Sequence, residues 1–386
     1  MEHNKDEIME LLEYVKSVGV EDQYLSILRH LSKDGVRKSA RGHRSVCAPF
    51  SNILAPFTSI CMPVLRCKKV FLRPMLRELL WFLMGMTNVK YLQDHNVKIW
   101  NEWAPESGEL GPIYGSRWRS WKTTEQLFTG DHDIEEQHKR LTDAGFELDG
   151  SYAAGETGYD MLVMSKTVDQ YAEVFDMLEH NPESKRIVVN AWDAGRVSQM
   201  ALPPCHVMHQ FCAEEISEHQ GFEYQLSSTH PSYKGLRYVL HMNVYQRSCD
   251  VPLGLPFNLA SYATLLHMVA KFHRMIPGSL NYNLGDTHYY DNQYEGVMQQ
   301  LRQGDELMAQ DMETIAASAP KSAMASMLWP TLNIHVPKEY LDNPNRLEGF
   351  DAFVRWAAYL PDDELMRVFE YNYPSPMPAI KYPISV

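Results

Sequence analysis

Apolar residues recur at three- and four-residue spacings in several separate windows, the period of a helix with one buried face. Within residues 6–31, Ile8, Leu11, Leu12 and Val15, then Leu25, Leu28 and Leu31, predict two short amphipathic helices. Leu72, Met75, Leu76, Leu79, Leu80 and Leu83 predict a buried helix that carries one acid, Glu78. A carboxyl there is costly unless it is paired or used. Gly85 ends this helix, and Thr87-Asn88 can cap the next. Val168, Tyr171, Ala172, Phe175 and Leu178 mark another helix face, and Phe257 to Phe272 reads as a long apolar helix. Arg186 to Trp192 and Tyr238 to Arg247 read as strands. Helices and strands do not alternate in simple βα order, so the predicted class is α+β, with helices covering a sheet.

Polar stretches interrupt this pattern. Residues 122–165, 213–235 and 303–325 read as surface insertions, the last as a surface helix or loop. Gly35 to Ser45 reads as a basic turn segment with Arg37, Lys38, Arg41, His43 and Arg44, either solvated or anion-binding. Residues 99–121 concentrate Trp100, Trp103, Tyr114, Trp118 and Trp121, as core packing or as a stacking wall for a flat ligand. The tail from Tyr371 holds four prolines and no helix period.

At 386 residues and 45% hydrophobic, the chain has ample material for a large core. A net charge of −13 argues against coating nucleic acid, so any anionic ligand must be caught by a local cluster of Arg and Lys. The six cysteines form no CxxC pair, which predicts reduced thiols in a cytoplasmic compartment. The polar, acidic N-terminus does not read as a signal peptide, and no apolar run approaches the roughly 20 residues of a membrane span.

The candidate chemistry centres on Cys205, which follows Pro203 and Pro204 and precedes an apolar, aromatic run. A rigid loop entering a strand can aim a nucleophile, although a structural thiol fits the bare stretch equally well. Cys205 with His206 makes a poor thiolate–imidazole pair, because neighbours on a strand point to opposite faces. The same alternation splits Cys205, His206, His209 and Cys212, so no metal is expected. Arg247, Ser248 and Asp250 offer a cation, a hydroxyl and an acid in one segment. Asn258 opens the apolar helix, as an N-cap or as an amide that reads a donor–acceptor edge.

Together these residues resemble thymidylate synthase and its relatives, the pyrimidine-nucleotide hydroxymethylases. The matching runs include Glu78-Leu-Leu-Trp-Phe82, Ile99-Trp-Asn-Glu-Trp103, Gly111-Pro-Ile-Tyr-Gly115, Pro204-Cys-His206, Tyr245-Gln-Arg-Ser-Cys-Asp250, Gly254-Leu-Pro-Phe-Asn258, Gly285-Asp-Thr-His288 and Ala379-Ile-Lys-Tyr-Pro383. They come in the family's order between Gly35 and Val386, which makes residues 1–34 an N-terminal extension of a single domain. The resemblance implies a mixed sheet covered by helices and a homodimer. It also implies transfer of a one-carbon unit from 5,10-methylenetetrahydrofolate to C5 of dUMP, through an adduct of Cys205 with C6.

The resemblance also implies roles. Glu78, Tyr114 and His206 match the network that moves protons around the base, and Asn258 the amide that reads uracil, where cytosine-specific relatives place an acid. Arg41, Lys185, Arg186, Gln246, Arg247 and Ser248 match nucleotide and phosphate positions, with Lys185 and Arg186 supplied by the second subunit. Arg247 is also expected beside the sulfur, where a cation favours thiolate. His288 and Tyr290 match the sugar-binding pair. Trp100, Trp103, Asp250, Gly254, Phe257 and Val386 resemble the folate wall, pterin contact and lid.

Several positions depart from the family pattern. Asn101 stands for an Asp, Lys185 for an Arg, Phe71 for a His and Met86 for a common Asp. They gather near the tryptophan wall and the folate contacts, which decide whether water or hydride meets the methylene intermediate. On that ground the expected product is 5-hydroxymethyl-dUMP, as in a viral branch that modifies DNA. The alternative is reductive methylation to dTMP, and a remoter one is an inactive scaffold.

Overall fold

A computed structural model describes residues 19–40, 43–55, 58, 61–153, 159–216, 236–317 and 330–384. In chain order the strands are β1 (Val36–Ala40), β2 (His43–Ala55), β3 (Trp121–Phe128), β4 (Glu147–Ala153), β5 (Asp160–Val168), β6 (Val188–Asn190), β7 (His206–Glu215), β8 (Tyr238–Asp250), β9 (Ile276–Tyr290), β10 (Thr331–Ile334) and β11 (Phe369–Asn372). Six of them form one sheet in the order β1-β2-β9-β8-β7-β6. Only β8 and β9 run parallel, so the sheet is mixed. A parallel pair needs a crossover, and the Leu255–Phe272 helix supplies it. Nearly all of that helix's 18 residues are buried, as expected of a helix that is apolar all round. It packs on the sheet and against the Leu72–Leu83 helix, which carries Glu78.

The predicted helices and strands that fall on described residues are present, with shifted ends. The long apolar helix begins at Leu255, with Pro256 in its first turn, where a missing N–H is harmless. Gly254 therefore holds the cap position, and Asn258 lies inside the first turn rather than at the cap. Gly85 takes a φ of 73° just past the Leu72–Leu83 helix, the left-handed stop that glycine favours. Asn88 Oδ1 accepts from the Lys90 N–H at 2.9 Å, which satisfies the start of the Lys90–Asp94 helix.

Two expectations need revision, and a third gains detail. The basic segment 35–45 is a hairpin, because β1 and β2 pair from Val36–Cys47 to Ala40–His43. Among the described residues, two of its cations are held by acids of and beside β9, with Lys38 Nζ 2.8 Å from Asp286 and Arg37 3.4 Å from Asp291. Residues 122–165 are more than a surface excursion. Their described residues fold with their flanks into a sheet ordered β3-β5-β4 with the Ile134–Asp143 helix, around a small core of Leu127, Leu141 and Met164. Residues 303–317 are helical, in keeping with the expected surface helix, but one side of them is buried. They continue the Tyr294–Ala317 helix, whose Gln303 and Leu307 are buried.

The second expected N-terminal helix is present as Val20–Asp34. The first, together with most of the 213–235 stretch and the last part of 303–325, lies outside the described residues. Among the described residues no helix is long and apolar enough to cross a membrane.

Candidate active site

Cys205 sits half-buried where the chain enters β7, and its peptide is gripped from two sides. Its N–H donates to the Tyr114 hydroxyl oxygen at 2.7 Å, and its carbonyl accepts from the Arg247 N–H at 2.9 Å. Arg247 grips the preceding residues as well. Its Nε donates to the Pro204 carbonyl at 2.9 Å and one terminal nitrogen donates to the Pro203 carbonyl at 3.0 Å. Two prolines offer carbonyls and no competing N–H, which suits a guanidinium with five donors. The Trp192 ring lies under the guanidinium, 5.2 Å from its carbon, a stacking arrangement that steadies it. Gly285 of β9 passes so close that a Cβ there would stand 2.7 Å from the Arg247 carbonyl oxygen.

The polar network begins beside this clamp. The His206 ring lies 5.1 Å from the Tyr114 ring, and its Nε2 meets the Asn258 amide. Its Nδ1 is enclosed and has no partner among the described residues. Burial lowers the imidazole to about 3, so it is neutral near pH 7. Trp100 donates its indole N–H to Glu78 Oε1 at 2.7 Å. Burial raises the Glu78 carboxyl to about 7 against the smaller opposing effect of that bond, so it can both give and take a proton near neutrality. Glu78, His206 and Asn258 share the wall of a cavity of about 10 Å³ with Ser261 and Tyr262, at the lower limit for one water. Trp100 itself is buried and meets Trp103 edge to face at 5.8 Å.

The remaining candidates fall into three groups. Asp250 accepts from the Leu253 N–H at 3.0 Å and from the Gln293 amide at 2.9 Å, beside the first turn that holds half-buried Gly254 and Phe257. Burial raises its carboxyl, the largest influence on it. His288 is buried, with Nδ1 3.1 Å from the Asp286 carbonyl oxygen, and its ring meets the Tyr290 ring at 5.1 Å. Gln246 is buried, donates to the Ser248 carbonyl at 2.9 Å and leaves Oε1 without a partner among the described residues. Lys185 and Arg186 stand apart, exposed ahead of β6. Arg41 and Val386 lie outside the described residues.

The sequence model of thymidylate synthase matches residues 22–324. The chain belongs to the thymidylate synthase family. A thymidylate synthase of Buchnera aphidicola subsp. Baizongia pistaciae (strain Bp) is 34% identical over 278 residues, 72% of this chain and 82% of that protein. One of Baumannia cicadellinicola subsp. Homalodisca coagulata is 36% identical over 280 residues, 72% of this chain and 83% of that protein. The chain is thus a methylenetetrahydrofolate-dependent one-carbon transferase of dUMP, and the scaffold reading is set aside.

The donor set suits the folate of this family. Asp250 is a carboxyl held just ahead of the Leu255–Phe272 helix, and a carboxylate can accept the N–H edge of a flat heterocycle. Three neighbours were given no site role from the sequence, although Arg117 and Tyr262 lie in runs that match the family. Trp192 lies beneath Arg247, Arg117 makes a buried ion pair of 2.6 Å with Asp193, and the Tyr262 ring packs 5.4 Å from His206. Trp192 and Tyr262 lie inside runs already read as strand and helix, where an aromatic looks like core.

Proposed function

We propose that the chain is a thymidylate synthase in the strict sense, converting dUMP to dTMP, with Cys205 as the nucleophile. The observation that carries this reading is the two-sided hold on the Cys205 peptide by Tyr114 and Arg247 next to the Glu78–His206–Asn258 cavity. A sulfur on a fixed peptide is pre-oriented for attack, which lowers the entropic cost of the bimolecular step. The sulfur adds to C6 of the uracil, and the C5–C6 electron pair moves to C5 with charge on O4. Asn258 reads the base edge. Glu78, Tyr114 and His206, with a water in the small cavity, carry protons to and from the ring. After C5 takes up the one-carbon unit and loses its proton, the carbon–nitrogen bond to the folate breaks and leaves a methylene on C5; hydride from the tetrahydrofolate reduces it to methyl, and the electron pair pushed back through the ring expels the Cys205 thiolate from C6. Methylenetetrahydrofolate supplies the carbon and, in this branch, the hydride.

The sequence departures favoured hydroxymethylation, and the comparisons favour the reductive branch. Both relatives carry the name thymidylate synthase at 34% and 36% identity over most of their length. The departures also touch little of the cavity: Asn101 is exposed and bonds Gln93 at 3.1 Å, and Phe71 is exposed.

In this reading Arg41, Lys185, Arg186, Gln246, Arg247 and Ser248 hold the nucleotide, and His288 with Tyr290 hold its sugar. Trp100, Trp103, Asp250, Gly254, Phe257 and Val386 line the folate site. Exposed Lys185 and Arg186 then serve the phosphate of a second subunit in a symmetric homodimer. The enzyme is one domain with extensions, and it works in the cytoplasm, where its six cysteines stay reduced.

The test is to incubate the protein with dUMP and methylenetetrahydrofolate and weigh the product. dTMP with one dihydrofolate per turnover is expected. A product one oxygen heavier, with no dihydrofolate, would sink the reductive reading.

A further inference from the structure

A row of buried glutamines fastens the C-terminal segment to the body of the protein. Gln293 ends the short turn Asp291–Gln293 after β9, and Gln300 and Gln303 follow on the Tyr294–Ala317 helix. All three are buried, and their spacing puts them along one side of the helix. Gln303 donates to the Pro378 carbonyl at 2.9 Å, Gln300 accepts from the Tyr382 hydroxyl at 2.6 Å, and Gln293 donates to the Pro383 carbonyl at 3.2 Å. The Tyr382 ring lies directly on Gly296, where a Cβ would come within 2.5 Å of it. Lys68 Nζ covers that ring from 4.8 Å.

Gln293 does more than hold the segment. The same amide nitrogen that donates to Pro383 also donates to Asp250 Oδ2 at 2.9 Å. Its oxygen accepts from the Tyr290 N–H at 2.9 Å. Both N–H groups and the carbonyl of one side chain are thereby used on three different parts of the site. A planar amide fixes the angle between its two N–H groups, so carboxylate and carbonyl must sit in register. The bond to Asp250 involves a potentially charged acceptor in a buried setting, where such bonds are strongest.

We infer that Gln293 is a positioning residue that couples the docking of the C-terminal segment to the orientation of Asp250, and thereby to folate binding. The inference rests on the proposed role of Asp250 at the folate. Coupling of this kind is reciprocal. A folate that orders Asp250 also favours the docked segment, and a loosened segment weakens the folate site.

The experiment compares Gln293→Met and Gln293→Glu with the wild type in steady-state assays against both substrates, with dUMP binding and Tm measured alongside. Gln293→Met keeps the size and removes the hydrogen bonds. Gln293→Glu keeps the acceptor for the Tyr290 N–H and removes both donations, to Asp250 and to Pro383, so it carries the test if the first variant folds poorly. The expected result is a KM for methylenetetrahydrofolate raised roughly tenfold, the scale of one lost hydrogen bond to a charged group. The dUMP dissociation constant should move much less. Equal rises for both substrates that track the loss in Tm would mean packing alone and would overturn the coupling. An unchanged folate KM would overturn it too. A wild type that fails to turn over dUMP at all would remove the functional reading first, a result distinct from either.

Discussion

The Tyr114 hydroxyl accepts from the Cys205 backbone N–H at 2.7 Å, although 91 residues separate the two along the chain. Tyr114 is buried at the start of the Tyr114–Arg119 helix, and burial holds its phenol well above the ordinary range, so it stays protonated. A buried N–H that loses its acceptor costs about 1–3 kcal/mol. Tyr114→Phe should therefore lower kcat/KM for dUMP by roughly tenfold to a hundredfold, since that cost is felt where the sulfur must be aimed. Steady-state kinetics check this, and an unchanged rate would remove Tyr114 from the mechanism.

Glu78 gives a pH prediction. Its carboxyl titrates near 7 in the folded protein and near its ordinary 4.5 when unfolded. Between these values the folded state binds more protons than the unfolded state, so this group's contribution to stability falls as pH rises and levels off above about 7. Gln cannot titrate and can still accept from Trp100. Glu78→Gln should thus become more stable relative to the wild type across that window, seen in denaturant midpoints at a series of pH values. Its kcat should drop, and the inflection near pH 7 should vanish from its rate profile.

Asn258 meets His206 through its amide from inside the first helical turn. An acid at that place reverses the donor pattern offered to the base. Asn258→Asp is expected to cut dUMP turnover by roughly a hundredfold, about two lost or mismatched hydrogen bonds, and to admit dCMP. Parallel assays with the two nucleotides decide it. A variant that keeps dUMP activity and ignores dCMP would contradict the assignment.

The unit built by residues 121–168 should loosen independently of the catalytic body. Among the described residues its own core is Leu127, Leu141 and Met164, with Ile134, Phe146 and Leu162 packed around it. Leu141→Ala removes a central member, at a cost of about 2 kcal/mol or more. Hydrogen exchange should accelerate in that unit while β8, β9 and the Leu255–Phe272 helix keep their protection. Faster exchange throughout would mean that the unit shares the main core's cooperativity.

Local periodicity was enough to reveal the Val20–Asp34, Leu72–Leu83, Gln170–His180 and Leu255–Phe272 helices and strands β6, β7 and β8, because helix and strand periods are written in neighbouring residues, whereas β2, β9 and the Tyr294–Ala317 helix were not read from it. The motif runs around Cys205, Arg247 and Asn258 were likewise visible, since each is contiguous. The basic hairpin was harder to see. Charged residues at 35–45 look like a loop until Asp286 and Asp291 are brought alongside to neutralise them. The inner face of residues 303–317 was hidden for a related reason: Gln303 reads as polar surface until the carbonyls of Cys67 and Pro378 meet its amide.

Tertiary structure alone decided how the site is held together. Strand register and helix docking bring Trp192 under Arg247, and Gln293 between Asp250 and Pro383, 43 and 90 residues away along the chain. Such partners leave no periodic trace in a sequence. Their meeting depends on how the parallel β8–β9 pair and its crossover helix pack, and hydrogen bonds over those separations exist only once that core has formed.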